Sequence, residues 1–198
     1  KLVNVRVKGK INNPYQIFAV KTTMNYRLFN FSAFIIIFSL FGCTQVTPLA
    51  TVDYVDLQRF MGRWYVIGAI PTFLEKGAHN PTEIYEMGDD GVIRTTFTFN
   101  QESFDGAKRS YHPKGFVVDT QSNAVWGMQF IWPFKADYRI IYLDKQYAHT
   151  VIGRNKRDYL WIMSRDPAIE QRVWDEVLTL VESMGYSIDQ IHQFPHEK

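Results

Sequence analysis

The chain has 198 residues, with 22 Lys and Arg against 20 Asp and Glu, a single cysteine, and 46% hydrophobic residues. That size suits one domain with a sizeable core, and a lone cysteine excludes an internal disulfide. Lys1, Arg6, Lys8, Lys10, Lys21 and Arg27 precede Cys43 and no acid does, so from Cys43 onward 16 basic residues face 20 acidic ones, a net of about −4. An acidic balance of this kind excludes a phosphate-backbone binder, and no nucleic-acid partner is expected.

Residues 1–23 show no sustained periodicity and read as an upstream segment without a structural role. Residues 24–42 have the build of a signal peptide: Met24-Asn25-Tyr26-Arg27 serves as a charged start, and Phe31 to Phe41 is a compact apolar run. The run is shorter than the ~20 apolar residues a spanning helix needs. Leu40-Phe41-Gly42-Cys43 resembles a bacterial lipobox, in which the cysteine opens the mature protein and carries acyl chains of the palmitate type. Cys43 is therefore the expected lipidation site, and Thr44, where an Asp is absent, resembles outer-membrane sorting. The expected location is the cell outer membrane, lipid-anchored, on its periplasmic face. Residues 43–54 read as a lipidated tether and 55–198 as the folded domain.

Short β segments separated by turn chemistry follow, at a spacing that argues an all-β sandwich or barrel. Strands are expected near Trp64 to Ile70, Thr82 to Met87, Val92 to Phe99, Arg109 to Asp119, Ala124 to Ile131, Asp137 to Leu143, Tyr147 to Gly153 and Tyr159 to Ser164. Asp89-Asp90-Gly91, Gln121-Ser122-Asn123 and the polar stretch from Asn155 to Asp158 supply turns. The period then changes. Asp166-Pro167 offers an N-cap and first-turn proline, and Ile169, Val173, Val177, Leu180, Val181 and Met184 recur at helical spacing until Gly185. A last short strand, Ile191 to Phe194, is expected to return to the sheet. One helix cannot cover an open sheet of this size, so the expected fold is an eight-stranded up-and-down antiparallel β-barrel with one C-terminal α-helix packed outside.

Several residues are similar to the lipocalin family and, within it, to the bacterial lipocalins anchored to the outer membrane. Gly62-Arg63-Trp64 matches the GxW signature of the first strand, Asp144 with Tyr147 stands where TDY is expected, and Arg165 closes the last strand as in the third motif. The resemblance covers roughly Val55 to Phe194 and implies a lipid-binding and transport role at the bacterial envelope.

Chain direction alone brings Gly62, Trp64, Asp144 and Arg165 to one end of an up-and-down barrel, where Arg on Trp makes a structural plug. The loops 71–80, 100–108, 132–135 and 154–158 fall at the opposite end, as the mouth of a pocket. Strand alternation suggests that Phe97, Phe99, Trp126, Met128, Phe130, Tyr138, Ile140 and Tyr142 line the cavity. Such a cavity suits an acyl chain: ~14 methylenes at ~0.8 kcal/mol each, less association costs of about 4 kcal/mol or more, point to micromolar binding. The expected ligand is a single-chain lipid, fatty acid or lysophospholipid. Arg154, Lys156 and Arg157 are the expected mouth contacts for its headgroup.

No HExxH or GxSxG is present, and His79, His112, His149, His192 and His196 form no metal pattern, so neither an enzyme nor a cofactor is expected. Three other readings remain open. A lipocalin-type isomerase would have Tyr138 and Tyr142 as its acid/base candidates, a haem or tetrapyrrole carrier would use His149 as axial ligand, and a structural envelope lipoprotein would fill its barrel with its own aromatics.

Overall fold

The computed structural model describes residues 47–197; the stretch read as a signal peptide, 24–42, and Cys43 lie outside the described residues. A one-turn helix α1 (Leu57–Phe60) leads into β1 (Gly62–Ile70), β2 (Ala78–Met87), β3 (Ile93–Gln101), β4 (Lys108–Tyr111), β5 (Lys114–Val117), β6 (Val125–Ile131), β7 (Phe134–Leu143), β8 (His149–Gly153) and β9 (Leu160–Ser164). Helix α2 (Gln171–Ser183) and a two-residue strand, β10 (His192–Gln193), follow.

Successive strands pair antiparallel, and β9 returns to β1 from Tyr65↔Ser164 to Ile70↔Leu160, which closes the barrel. Both β4 and β5 pair with β3, at Phe97↔Tyr111 and Ile93↔Gly115, so they are halves of one barrel strand and the closed barrel has eight. The single strand expected from Arg109 to Asp119 is interrupted at His112-Pro113 because proline has no N–H for the ladder. The Pro113 carbonyl still accepts from the Thr95 N–H at 3.1 Å.

Two apolar clusters result. Val66, Ala69, Tyr85, Ile93, Ile140 and Ile152 belong to the cluster inside the barrel. Ile67, Ile70, Val151 and Ile162 point outward and join Trp174, Val177 and Val181 of α2. The helix approaches most closely at Gly68, where a Cβ would stand 2.6 Å from Trp174 Cη2. Helix α2 begins at Gln171, later than Asp166-Pro167 suggested. The Asp166 N–H is held by Ser164 Oγ at 3.1 Å, so the chain is still fastened to the end of β9 there.

Residues 47–54, read as part of a tether, and Val55 after them lie along the barrel wall. The Leu49 N–H donates to Asn155 Oδ1 at 2.8 Å, the Val52 N–H to the Ile140 carbonyl at 3.1 Å, and the Val55 N–H to the Ser122 carbonyl at 2.7 Å. At the other terminus, β2 leaves β1 beyond Tyr65↔Thr82, and β10 takes its place at Gly68↔Gln193 and Ala69↔His192. The described residues thus hold one closed sheet with its own interior, which is what independent folding requires.

Candidate ligand cavity and its mouth

The closed end is built first. Asp56 caps α1 by accepting from the Gln58 and Arg59 N–H groups, and α1 sets Phe60 beneath the barrel against Trp64, Tyr85 and Trp126. Trp64 Nε1 donates to the Phe60 carbonyl at 2.9 Å. Arg165 stacks on Trp64 and donates to the carbonyls of Arg63, Phe60 and Met61 at 2.6, 3.0 and 2.9 Å. Gly62 is at φ +95°, and a Cβ there would lie 3.4 Å from Arg165 Nη1, so a small residue with left-handed freedom fits. Asp144 Oδ1 accepts from the Ala148 and His149 N–H groups at 2.6 and 2.9 Å, which shapes the β7–β8 turn. Gly62, Trp64, Asp144 and Arg165 therefore meet at the closed end and hold backbone.

Above this plug a cavity of about 300 Å³ opens toward the other end. Phe97, Met128, Phe130 and Tyr138 line it, together with Trp161 and Leu74. Three other expected wall residues sit deeper in the packed interior. Trp126 stacks on Tyr138 at 5.2 Å, Phe99 lies against Phe97 and Tyr111, and Ile140 is fully buried. Tyr142 faces the wrong way for a cavity residue. A bulge between Ile140 and Tyr142 lets Ile141 and Tyr142 both join the outer cluster, and Leu143 returns inward. Strict alternation from Ile140 cannot anticipate that extra residue.

The cavity also holds acids that the aromatic pattern does not announce. Register places Glu83 between inward-facing Trp64 and Phe97, so its carboxyl faces the cavity. Burial, with Glu75 adding like-charge repulsion, pushes its pKa up to about 8, against a smaller opposing contribution from the Tyr85 hydroxyl. At neutral pH it is mostly a protonated acid. The Tyr85 and Tyr138 hydroxyls meet beside it at 2.5 Å, and burial holds both phenols well above their usual range. Glu75 is raised by burial, and hydrogen bonds from Thr72 and Trp161 only partly oppose that. Its carboxylate accepts from Trp161 Nε1 at 2.6 Å and the Thr72 N–H at 2.7 Å, fastening the β1–β2 loop to β9. Glu83 was legible in principle: it lies in phase with Tyr85 on a strand whose partner, Trp64, faces in.

At the mouth the expected basic trio separates. Arg154 lines the cavity, lies 5.2 Å from the Tyr159 ring centroid and 3.5 Å from Asp158, and its Nε is buried without a hydrogen-bond partner among the described residues. Lys156 is exposed on the β8–β9 turn. Arg157 is not a mouth contact: its left-handed turn conformation, φ 54°, sends the guanidinium to the carbonyls of Met184, Thr47 and Asn155. The end of α2 offers unpaired carbonyls that a cation satisfies. His149 lies at the closed end, 3.8 Å from Asp144, and does not line the cavity, so it is misplaced as an axial ligand there. Among the described residues no cluster of His, Cys, Asp and Glu could hold a metal ion.

The mouth is ringed by exposed apolar side chains. Phe73 on the β1–β2 loop is 86% exposed, and Ile131, Trp132 and Phe134 on the β6–β7 hairpin are 73%, 82% and 76% exposed. These are far above what a buried core position shows and lie on both sides of the opening.

A model of the lipocalin-like domain matches residues 55–196. The chain is 29% identical to the outer membrane lipoprotein Blc of Escherichia coli (strain K12) over 155 residues, 76% of this chain and 86% of that protein. It is 28% identical to temperature-induced lipocalin-1 of Arabidopsis thaliana over 162 residues, 77% of this chain and 85% of that one. Among solved structures, insecticyanin of the tobacco hornworm Manduca sexta superposes with a TM-score of 0.61 at 16% identity, covering 79% of this chain and 87% of that one, a likeness of fold.

Proposed function

Since this chain belongs to the lipocalin family, we propose that it is a membrane-anchored carrier of single-chain lipids, fatty acids or lysophospholipids, working at the bacterial envelope. The observation that carries this reading is the cavity: about 300 Å³, walled by Phe97, Met128, Phe130 and Leu74, open at one end and plugged at the other. A one-ended apolar slot suits an alkyl chain, and burial of each methylene contributes about 0.8 kcal/mol. Arg154, the cation among the residues that line the opening, supports an acidic headgroup held there.

The relatives named as outer membrane lipoproteins support a membrane-associated place of work, and the lipobox-like sequence at Cys43 supports an acyl anchor. Several chains on one cysteine hold far better than a single chain. The apolar rim around the mouth, Phe73 with Ile131, Trp132 and Phe134, supports docking of the opening on the lipid surface itself, so that a chain passes between bilayer and cavity without crossing water.

Catalysis is less well supported. Tyr138 is locked to Tyr85 and held protonated by burial, and Tyr142 lies outside the barrel, so neither serves as a base in the cavity. Native mass spectrometry with lipid extraction of the barrel, residues 47–197, tests the carrier reading. A copurifying fatty acid or lysophospholipid near one per protein is the expected result. An empty barrel that also refuses added single-chain lipids would overturn it.

A further inference from the structure

An alkyl methyl group is a poor match for the place where a tail-first fatty acid would end. The cavity floor is formed beside Glu83 and Tyr138, and below them the Tyr85 and Tyr138 hydroxyls are bonded to each other at 2.5 Å. Glu83 is fixed by β-sheet register between Trp64 and Phe97, so its carboxyl cannot swing out of the barrel without breaking the alternation of β2. The carboxyl stands beside the Tyr85 hydroxyl, and a ligand that ended there in apolar atoms alone would cost its cavity-facing side the hydrogen bonds it makes in water. Of the residues that line the cavity, Arg154 at the mouth is the cation among the described residues, and it belongs to the opposite end from Glu83.

We infer that the floor of the cavity recognises an uncharged hydrogen-bonding group at the buried end of the ligand, with the Glu83 carboxyl as its partner, so that ω-hydroxylated or ω-amidated single-chain lipids bind ahead of plain fatty acids of equal length. The inference rests on the carrier reading and deepens it. A protonated carboxyl both donates and accepts, which is what a hydroxyl or primary amide needs to satisfy both of its roles in a site without water. An ionised head placed at the floor would meet Glu83 with no cation close by. An acid head at the mouth meets the positive charge of Arg154, which lines the opening. The two polar ends of an ω-hydroxy fatty acid therefore match the two polar ends of the cavity.

The barrel, residues 47–197, is titrated with hexadecanoic acid and with 16-hydroxyhexadecanoic acid in competition with a fluorescent fatty acid at neutral pH. One satisfied buried hydrogen bond predicts roughly tenfold tighter binding of the hydroxylated chain. Glu83→Gln keeps a neutral donor and acceptor in place and is expected to keep that preference. Glu83→Leu is expected to abolish it while tightening hexadecanoic acid. Equal binding of the two acids by the unaltered barrel overturns the inference and leaves the carrier reading standing. A preference that survives Glu83→Leu also overturns it, because the hydroxyl is then read elsewhere. If neither acid displaces a bound probe, the inference fails; if the barrel takes up neither the probe nor a lysophospholipid, the carrier reading fails with it. Hexadecylamine is a fourth probe: tighter binding of the amine than of the hydroxy acid, lost in Glu83→Gln, would show Glu83 acting as an anion and overturn the neutral-partner assignment.

Discussion

The guanidinium carbon of Arg165 lies 3.7 Å from the centroid of the Trp64 ring, and the same side chain holds carbonyls from Arg59 to Arg63. One cation thus fastens β9 to α1 and to the start of β1. Burial alone lowers the pKa of Arg165 from its usual value, yet an arginine stays charged throughout the accessible pH range, so the fastening does not switch with pH. Arg165→Ala is expected to cost about 3 kcal/mol, combining the stacking with hydrogen bonds from a charged donor. Arg165→Lys keeps the charge and loses the fork, and should recover less than half. Urea denaturation reads both, and lipid affinity at the far end should stay within twofold when corrected for the folded fraction.

The Glu83 acid makes stability depend on pH in an unusual direction. Unfolded, it ionises near 4.5; folded, it holds its proton up to about pH 8. Unfolding therefore releases a proton between those values, and stability that is present in full below the lower one is lost as pH rises through the upper. The loss is on the order of a few kcal/mol, moderated by any water in the cavity. Glu75 adds to it in the same sense. Glu83→Gln should flatten the decline seen by thermal melts between about pH 5 and pH 8. A decline of unchanged slope would place the proton elsewhere.

Tyr85 and Tyr138 share one buried hydrogen bond at 2.5 Å. Removing either hydroxyl alone takes this bond from the other, at about 1 to 2 kcal/mol, whereas removing both removes the bond together with both of its ends. The Tyr85→Phe/Tyr138→Phe double variant should be no less stable than the worse single one. Strict additivity in denaturant melts would show that the two hydroxyls are satisfied independently.

The proposed docking of the mouth on a lipid surface makes a separate demand. Trp132 and Phe134 are largely exposed on the β6–β7 hairpin, and replacing both by Ser should weaken cosedimentation of the unlipidated barrel with phosphatidylglycerol-containing vesicles by at least about tenfold. The fold should be untouched, because neither side chain packs in either apolar cluster. Undiminished cosedimentation would remove the rim from the account of membrane contact.

Much of this architecture is written locally. Turn residues such as Asp89-Asp90-Gly91 and the change to helical period near Ile169 are short-range signals, and Gly91 indeed takes φ +73° in the β2–β3 turn. The parity of an up-and-down chain then brings Trp64, Asp144 and Arg165 together at one end. What parity cannot see is a break in its own rule. The bulge at Ile140/Tyr142 turns Tyr142 outward, and the similar shift at Val66/Gly68 makes room for Trp174, a residue outside the simple stripe of Val173, Val177 and Val181. Arg157 escaped for a different reason: its turn conformation is local, but its partners at Thr47 and Met184 are distant in sequence. Glu83 was obscured by its chemistry, since a charged residue in a strand reads as solvent-facing unless the phase of its neighbour Trp64 is carried across the register.

Strand β1 has neighbours from both ends of the domain: β2 on one edge, then β10 further along that edge, and β9 on the other. The His196 ring nitrogen meets the Val66 carbonyl across 130 residues of chain at 2.9 Å. During synthesis this strand emerges early but cannot be completed until almost all of the domain has followed it. Contacts of such sequence separation are slow to form, and an apolar strand with open edges is prone to join the wrong chain while it waits. A barrel whose first strand depends on the last segments of the chain for both of its edges therefore reaches its closed form only after those segments have arrived.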